Sequence, residues 1–542
     1  MADEVLHDAV VRSDGGPDPH AEQVATVQKG YGFAGAALEL GALVVDADGT
    51  PTPRPDAQVR IPLAMLNRHG LVAGATGTGK TKTLQVMAEQ LSAHGVPVFV
   101  ADVKGDLSGV AVPGTASDTL TARTGGIGQD WQAASFPTEF LALGGVGTGV
   151  PVRATVTSFG PDLLAKVLDL NDTQTSSLAL VFHYADTAGL PLLDLADLRA
   201  VVQHLVSDEG KADLKGLGGL SAATAGVILR ELVAFAAAGA DAFFGEPELD
   251  PTELLRVDAQ GRGIITCLEL AAVQDKPQLF STALMWLLAE LFETLPEVGD
   301  LPKPKLAFFF DEAHLLFADA TPAFVQSVTQ TVRLIRSKGV AVFFITQTPK
   351  DIPGDVLGQL GNRVQHALRA FTPDDAKALK ATVGTFPTSP YYDLEELLPA
   401  LGIGEAVVTV LSPNGVPTPV VHTRLNAPAS RMAPADDVDG AARASALWGK
   451  YGTRTEAESA REQLAARTQA AAEAAATPPP RPEAPEDAPL EHIPPPRRRP
   501  RSRTPTPQPD GGGLGDFLGS REGKQLQKEL MRGVFGMLRK GR

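Results

Sequence analysis

The sequence predicts an α/β fold: a mainly parallel sheet carrying a phosphate-binding loop, with a helical subdomain inserted in it and a tail beyond it. Three observations predict this. Short, wholly apolar runs recur (VPVFVAD at 96–102, KLAFFFD at 305–311, VAVFFITQ at 340–347), as strands covered on both faces require. Segments of helical length and apolar periodicity stand between them, which makes the crossovers βαβ units. A glycine-rich stretch, GATGTGKT at 74–81, joins one such strand to one such helix.

Composition narrows the class. Of 542 residues, 43% are hydrophobic and 21% charged, the proportions of a globular chain. Cys267 is the only cysteine, which excludes an internal disulfide framework and a zinc site of clustered thiolates. The start, MADEVLHDAV, is acidic and lacks the apolar centre of a secretory signal. No apolar run reaches the ~18 residues of a membrane-spanning helix, so a cytoplasmic protein without a transmembrane segment is expected. The net charge is −16, unevenly spread: residues 497–542 hold 12 Lys and Arg against 4 Asp and Glu, leaving −24 on the preceding chain. An acidic body argues against a protein that coats nucleic acid with its whole surface, while a narrow basic channel stays open.

Taken in order, residues 1–28 are polar and aperiodic and read as disordered. Residues 29–160 form the first half of the core: short strands from Tyr31 to Pro62, the strand LVAG, a helix from Lys80 to His94 and the strand 96–102. A Gly/Ser/Thr-rich connection with small elements fills 103–150, and RATVTSF (153–159) reads as a strand. Residues 161–262 are the helical insertion. The second half, 263–425, contains the strand GIITCLEL (263–270), helices near 276–295 and 322–338, and the strands 305–310 and 340–347. NRVQHALRAF (362–371), a helix at 373–382 and EAVVTVL (405–411) complete it. Residues 426–476 are an Ala-rich extension ending in an exposed helix, and 477–515 a proline-rich linker that cannot pack. In 516–542 Leu526, Leu530, Val534 and Leu538 recur at helical spacing among basic residues. DNA, an anionic membrane surface and the acidic body itself are all open to this basic tail.

The loop fits G-x-x-x-x-G-K-[ST] in full. Gly74, Gly77 and Gly79 let the backbone N–H groups of Ala75, Thr76, Thr78 and Lys82 wrap phosphate oxygens, aided by the positive end of the helix. Lys80 reaches the terminal phosphates and the Thr81 hydroxyl ligates Mg²⁺. The strand 305–310 ends in two carboxylates suited to separate tasks, Asp311 for the metal and Glu312 to activate water. The strand 340–347 ends in Gln347, placed to sense a γ-phosphate if its strand lies between the other two. A cation at the developing charge is also needed. Arg336 is the first candidate, Arg333 its neighbour on the same helix, then Arg363 and Arg369.

NRHGLVAGATGTGKT (67–81), VKGDLSG (103–109), FFGEP (243–247), DEAHLLF (311–317) and the run from Thr346 to Asp375 together resemble the bacterial HerA-like ATPases. These are RecA-like P-loop motors of the HerA/FtsK branch, and the closer match is the subgroup known by its HerA-like helicase C-terminal domain. The resemblance spans roughly 60–425 and its motif combination is specific. It implies a RecA-like ASCE core, ATP and Mg²⁺ as ligands, a hexamer, and ATP-driven movement on duplex DNA. It places nucleotide chemistry on Lys80, Thr81, Asp311, Glu312 and Gln347, and a trans-acting arginine at Arg336. It also suggests Lys211 and Lys215, in KADLKGLGGL, as pore-loop residues. Tyr31 and Gly74 stand too close for the full N-terminal barrel of the DNA-end-processing relatives.

The leading function is therefore a ring-forming ATPase that translocates on or remodels DNA. The alternative is a protein-remodelling or secretion-associated motor without direct nucleic-acid action. The letters DEAH alone would suggest an RNA helicase, but such enzymes need a second RecA-like lobe that this sequence lacks after 425.

Overall fold

The computed structural model describes residues 18–476, apart from 48, 318–320 and 456. Among the described residues twelve strands form one sheet. They are β1 (Ala37–Ala47), β2 (Thr50–Pro62), β3 (Gly70–Ala73), β4 (Val98–Asp102), β5 (Thr138–Leu143), β6 (Val150–Val152), β7 (Ile265–Glu269), β8 (Leu306–Phe310), β9 (Val340–Thr346), β10 (Asn362–His366), β11 (Glu405–Thr409) and β12 (Val421–Leu425). Their order is β2-β1-β12-β11-β10-β3-β9-β8-β4-β7-β5-β6. Every pairing from β10 to β6 is parallel, and the four pairings from β2 to β10 are antiparallel. This is the mixed α/β architecture the apolar runs predicted, and the RecA-like core the resemblance implied, with β9 inserted between β3 and β8.

The centre is aromatic because its strands are covered on both sides. All five residues of β8 are buried. Phe309 stacks on Phe343 and Phe310 on Phe344, each with centroids 5.1 Å apart, and Phe99 meets Phe308 at 4.3 Å. Each such ring buries enough apolar surface to contribute about 2–3 kcal/mol. That gives the sheet a rigid centre from which the loops at its C-terminal edge project.

Four sequence expectations change. The stretch 1–28, expected to be disordered, instead runs into a helix, Ala21–Tyr31, whose Val24, Val27 and Tyr31 are buried; Tyr31 Oη donates to Pro419 O at 2.8 Å. Residues 1–17 lie outside the described residues. The 103–150 connection supplies β5 and β6, which extend the sheet beyond β7. RATVTSF is not a strand, because Thr155 caps Ser158 N and starts the short helix Val156–Phe159. The strand at 362–371 stops at His366, where the chain leaves to meet the loop after β3: Ala75 N donates to Ala367 O at 2.8 Å.

The helical insertion leaves the sheet after β6 and returns beside it, with Ala154 N bonded to Phe243 O. Its helices are ordered by strong caps, including reciprocal capping boxes at Asn171 and Asp194. The Ala-rich extension holds the helices Val438–Ala444, Ala446–Tyr451 and Ala460–Ala476. It is not wholly exposed: Leu447, Tyr451, Ala460 and Leu464 join the main core. The proline-rich linker and basic segment, 477–542, lie outside the described residues. Among the described residues no helix is long and apolar enough to cross a membrane.

Candidate nucleotide site

The C-terminal ends of β10, β3, β9, β8 and β4 lie side by side, and the predicted residues sit in the loops that leave them. After β3 the chain turns through Gly74 (φ 153°) and Gly79 (φ 113°) into the helix Lys80–Ala93. Both φ values favour glycine. At Gly74 there is also no room, since a Cβ would fall 2.4 Å from His366 Cβ. Thr76 and Gly77 at the tip are exposed, and nothing stands within 4 Å of a Cβ built on Gly77. Gly74 N donates to Thr346 O, and Thr78 Oγ1 to Ala75 O at 2.7 Å, so the loop is held while its tip faces solvent.

Lys80 is buried and folds back over the loop, donating to Gly74 O at 2.7 Å and Ala75 O at 3.3 Å. Burial pulls its ammonium below the usual lysine range, and Glu312 and Asp311 partly restore it. The lysine of the loop and the carboxylates of the β8 end therefore share one electrostatic site. Thr81 is half-buried in the first helical turn. The Lys82 ammonium donates to Met432 O at 2.5 Å and Gln85 Oε1 at 3.2 Å, which leaves its backbone N–H as its contribution to the cradle.

Asp311 is buried, and desolvation together with Asp102 and Glu312 raises its carboxyl to about 7. Oxygens of Asp311, Asp102 and Asp106 lie within 4.8 Å of one another, and Asp106 Oδ1 is buried without a hydrogen bond. Hard oxygen donors of this kind fit Mg²⁺. Glu312 is buried with φ 46°. Its Oε1 is ion-paired to Lys104, while Oε2 has no hydrogen bond and lies 3.3 Å from His314 Nδ1. Gln347, one residue past β9, is exposed beside the loop.

Three groups of residues here carry no role in the sequence reading. Asp102 ends β4 and clamps the next turn, accepting from Lys104 N (3.2 Å), Gly105 N (2.8 Å) and Leu107 N (2.9 Å). That turn presents Lys104. His366 braces the loop from below, with Nδ1 3.2 Å from Thr78 O and Nε2 2.9 Å from Thr83 Oγ1; burial lowers its pKa to about 4, so it braces as a neutral ring. Gly404 N donates to Thr78 O at 2.9 Å, and Gly404 O accepts from Arg123 at 2.8 Å. The strand-ending Asp with Lys-Gly two residues on was the visible signal for the first group; the others depend on strand neighbours.

The neighbouring Glu405 yields a pH prediction. Burial alone would raise its carboxyl, but hydrogen bonds from His422, Arg424 and Gly402 N outweigh burial and hold it at about 2. A depressed folded pKa contributes stability that is full above about 4.5 and lost as pH falls towards 2. Glu405→Gln is therefore expected to destabilise by on the order of 2 kcal/mol at pH 7. Urea midpoints of wild type and variant should converge as pH falls below 4.5.

The arginine candidates fall elsewhere. Arg336 precedes β9 at the end of the sheet opposite the loop, a strand's length or about 20 Å from its own site, 3.9 Å from Asp300. It cannot serve the nucleotide site of its own chain. Arg363 is spent on Leu360 O and Thr385 O. Arg333 is exposed near Arg336. Arg369 is exposed just beyond β10, on the loop side. Lys211 pairs with Asp208 in the short helix Asp208–Asp213, which also carries Glu209, and Lys215 follows just after that helix.

Fold and loop together define a RecA-like P-loop NTPase core. A family model described as Helicase HerA-like C-terminal matches residues 49–542, and the chain belongs to that family of P-loop ATPases. Among solved structures, the chain is similar to the bacterial conjugative coupling protein TrwBΔN70 (14% identity, 76% of this chain and 100% of that one, TM-score 0.46). It is similar to TrwB in complex with ADP and Mg²⁺ (14%, 75% and 98%, TM-score 0.48). It is also similar to VirB4 of Thermoanaerobacter pseudethanolicus (15%, 73% and 98%, TM-score 0.46). No curated protein matches.

Proposed function

We propose that this protein is an ATP-hydrolysing, ring-forming motor that acts on duplex DNA. The observation that carries the reading is that β3, which leads into the phosphate loop, and β8, which ends in Asp311 and Glu312, both pair in parallel with β9 and so deliver Lys80 and the acid pair to the same end of the sheet. In that loop, the N–H groups of Thr76, Gly77 and Gly79 to Lys82 hold the phosphates, those of Gly74 and Ala75 being bonded to Thr346 O and Ala367 O, and Lys80 leaves Gly74 O for the terminal ones. Asp311 and Thr81 hold Mg²⁺, which when bound shields the phosphate charge. Glu312 takes the proton of the attacking water on Oε2, which accepts no hydrogen bond in the fold. Gln347, at the loop's rim, senses the γ-phosphate. Arg336, remote from its own loop, acts on the neighbouring subunit's nucleotide, which is why a ring, a hexamer by family resemblance, is needed.

The acidic body and the carboxylates beside Lys211 and Lys215 favour a second reading, a motor that remodels protein. Duplex DNA decides between them. If DNA is the track, it raises ATP turnover at low salt and the effect falls steeply as salt rises, because phosphate contacts release counterions. Turnover indifferent to DNA at every salt concentration would favour the protein substrate. A monomer with full activity would exclude the ring.

A further inference from the structure

Two lysines come from loops on either side of the β8 end that carries Asp311 and Glu312. Lys80 comes from the loop after β3 and Lys104 from the turn after β4, the strand hydrogen-bonded to β8. Burial first, then the charge of Lys104, disfavours the Lys80 ammonium, while Glu312 and Asp311 favour it. Both rest on acceptors of the protein itself: Lys80 on Gly74 O, Lys104 on Glu312 Oε1. The turn that carries Lys104 is not free to drift, since the Asp102 carboxylate holds three of its backbone N–H groups. The Lys104 side chain is 43% exposed while that of Glu312 is 6% exposed, so the lysine can change partner and the carboxylate cannot follow it out.

We propose that Lys104 is a phosphate-binding cation supplied in cis, parked on Glu312 until the terminal phosphate of a nucleoside triphosphate arrives. That phosphate carries more charge than a carboxylate and enters between the two lysines, so it outcompetes Glu312 for Lys104. The exchange frees Glu312 Oε1 at the moment a scissile phosphate is present. No covalent bond changes in this step; one ion pair replaces another. The site thereby distinguishes triphosphate from diphosphate through a residue outside the phosphate loop. The inference rests on the nucleotide-site reading above and adds a specificity-determining residue to it.

The test is equilibrium binding of a fluorescent non-hydrolysable ATP analogue and of fluorescent ADP to the full-length chain, with Mg²⁺. Lys104→Met should weaken the ATP analogue by about tenfold or more and ADP by less than about twofold, the loss of one charge-assisted contact made only to the third phosphate. Lys104→Arg should restore most of the preference. Glu312→Gln, which removes the competing anion and leaves Lys104 in place, should tighten the ATP analogue. That gain should vanish in the double variant with Lys104→Met. Retained ADP binding reports that Lys104→Met is folded, and the Glu312→Gln arm stands without it. Equal weakening of both ligands, no change in either, or a Glu312→Gln gain that persists without Lys104 would overturn the proposal. If Lys80→Ala alters neither ligand, the underlying nucleotide-site reading fails instead.

Discussion

Glu312→Gln is expected to cut ATP turnover by about 10²- to 10⁴-fold while nucleotide still binds, the usual range for removing a general base. Gln keeps the size and shape of Glu and can take the same φ of 46°, so the loop before His314 should hold its geometry. What is lost is the basic oxygen that accepts no hydrogen bond in the fold. Lys80→Ala should fail earlier, at binding, because the ammonium now resting on Gly74 O and Ala75 O is the cradle's own cation. Single-turnover kinetics and nucleotide retention on a filter separate the two: Glu312→Gln keeps bound ATP unhydrolysed, and Lys80→Ala retains none. Near-wild-type turnover in both would contradict the assignment of the site.

The parts of this site that a sequence can announce are those whose residues are neighbours in the chain. GATGTGKT reads directly because its spacing is the mechanism, and LAFFF followed by Asp311 and Glu312 reads because a doubly covered strand has no other reason to end in two acids. The role read for Gln347 required β9 to lie between β3 and β8, and the sheet order meets that condition. His366 and Gly404 were invisible because their function is given by pairing: β10 lies against β3, and β11 against β10, across hundreds of residues of sequence. Ala21–Tyr31 was hidden differently. Val24, Val27 and Tyr31 do recur at helical spacing, but the polar residues around them cannot hold a helix alone, and it forms by packing on the sheet. At 153–159 a strand-like alternation lost to one cap, that of Thr155. Arg336 shows the limit on function: sequence placed it near the end of the helix before β9, and only topology puts that end on the far side of the sheet.

Gly74→Ala should be the most damaging single methyl group in the molecule's phosphate loop. The added carbon would lie 2.4 Å from His366 Cβ and 3.1 Å from two backbone atoms of the same residue. At φ 153° the side chain also meets its own backbone. Overpacking and the disfavoured φ together cost on the order of 3–5 kcal/mol. The chain can relieve this only by lifting Gly74 away from β10. That breaks Gly74 N to Thr346 O and Ala75 N to Ala367 O and displaces the amides that cradle phosphate. A thermal melt should therefore show a large drop without nucleotide and little recovery on adding it, whereas wild type gains stability from bound ligand. Truncating the brace distinguishes this cause from general damage. His366→Ala keeps the Cβ and backbone that clash, so it should not rescue Gly74→Ala. His366→Gly removes the nearest atom and should recover part of the loss. Full rescue by His366→Ala would show that the imidazole, and not the close approach of two backbones, forbids a side chain at position 74.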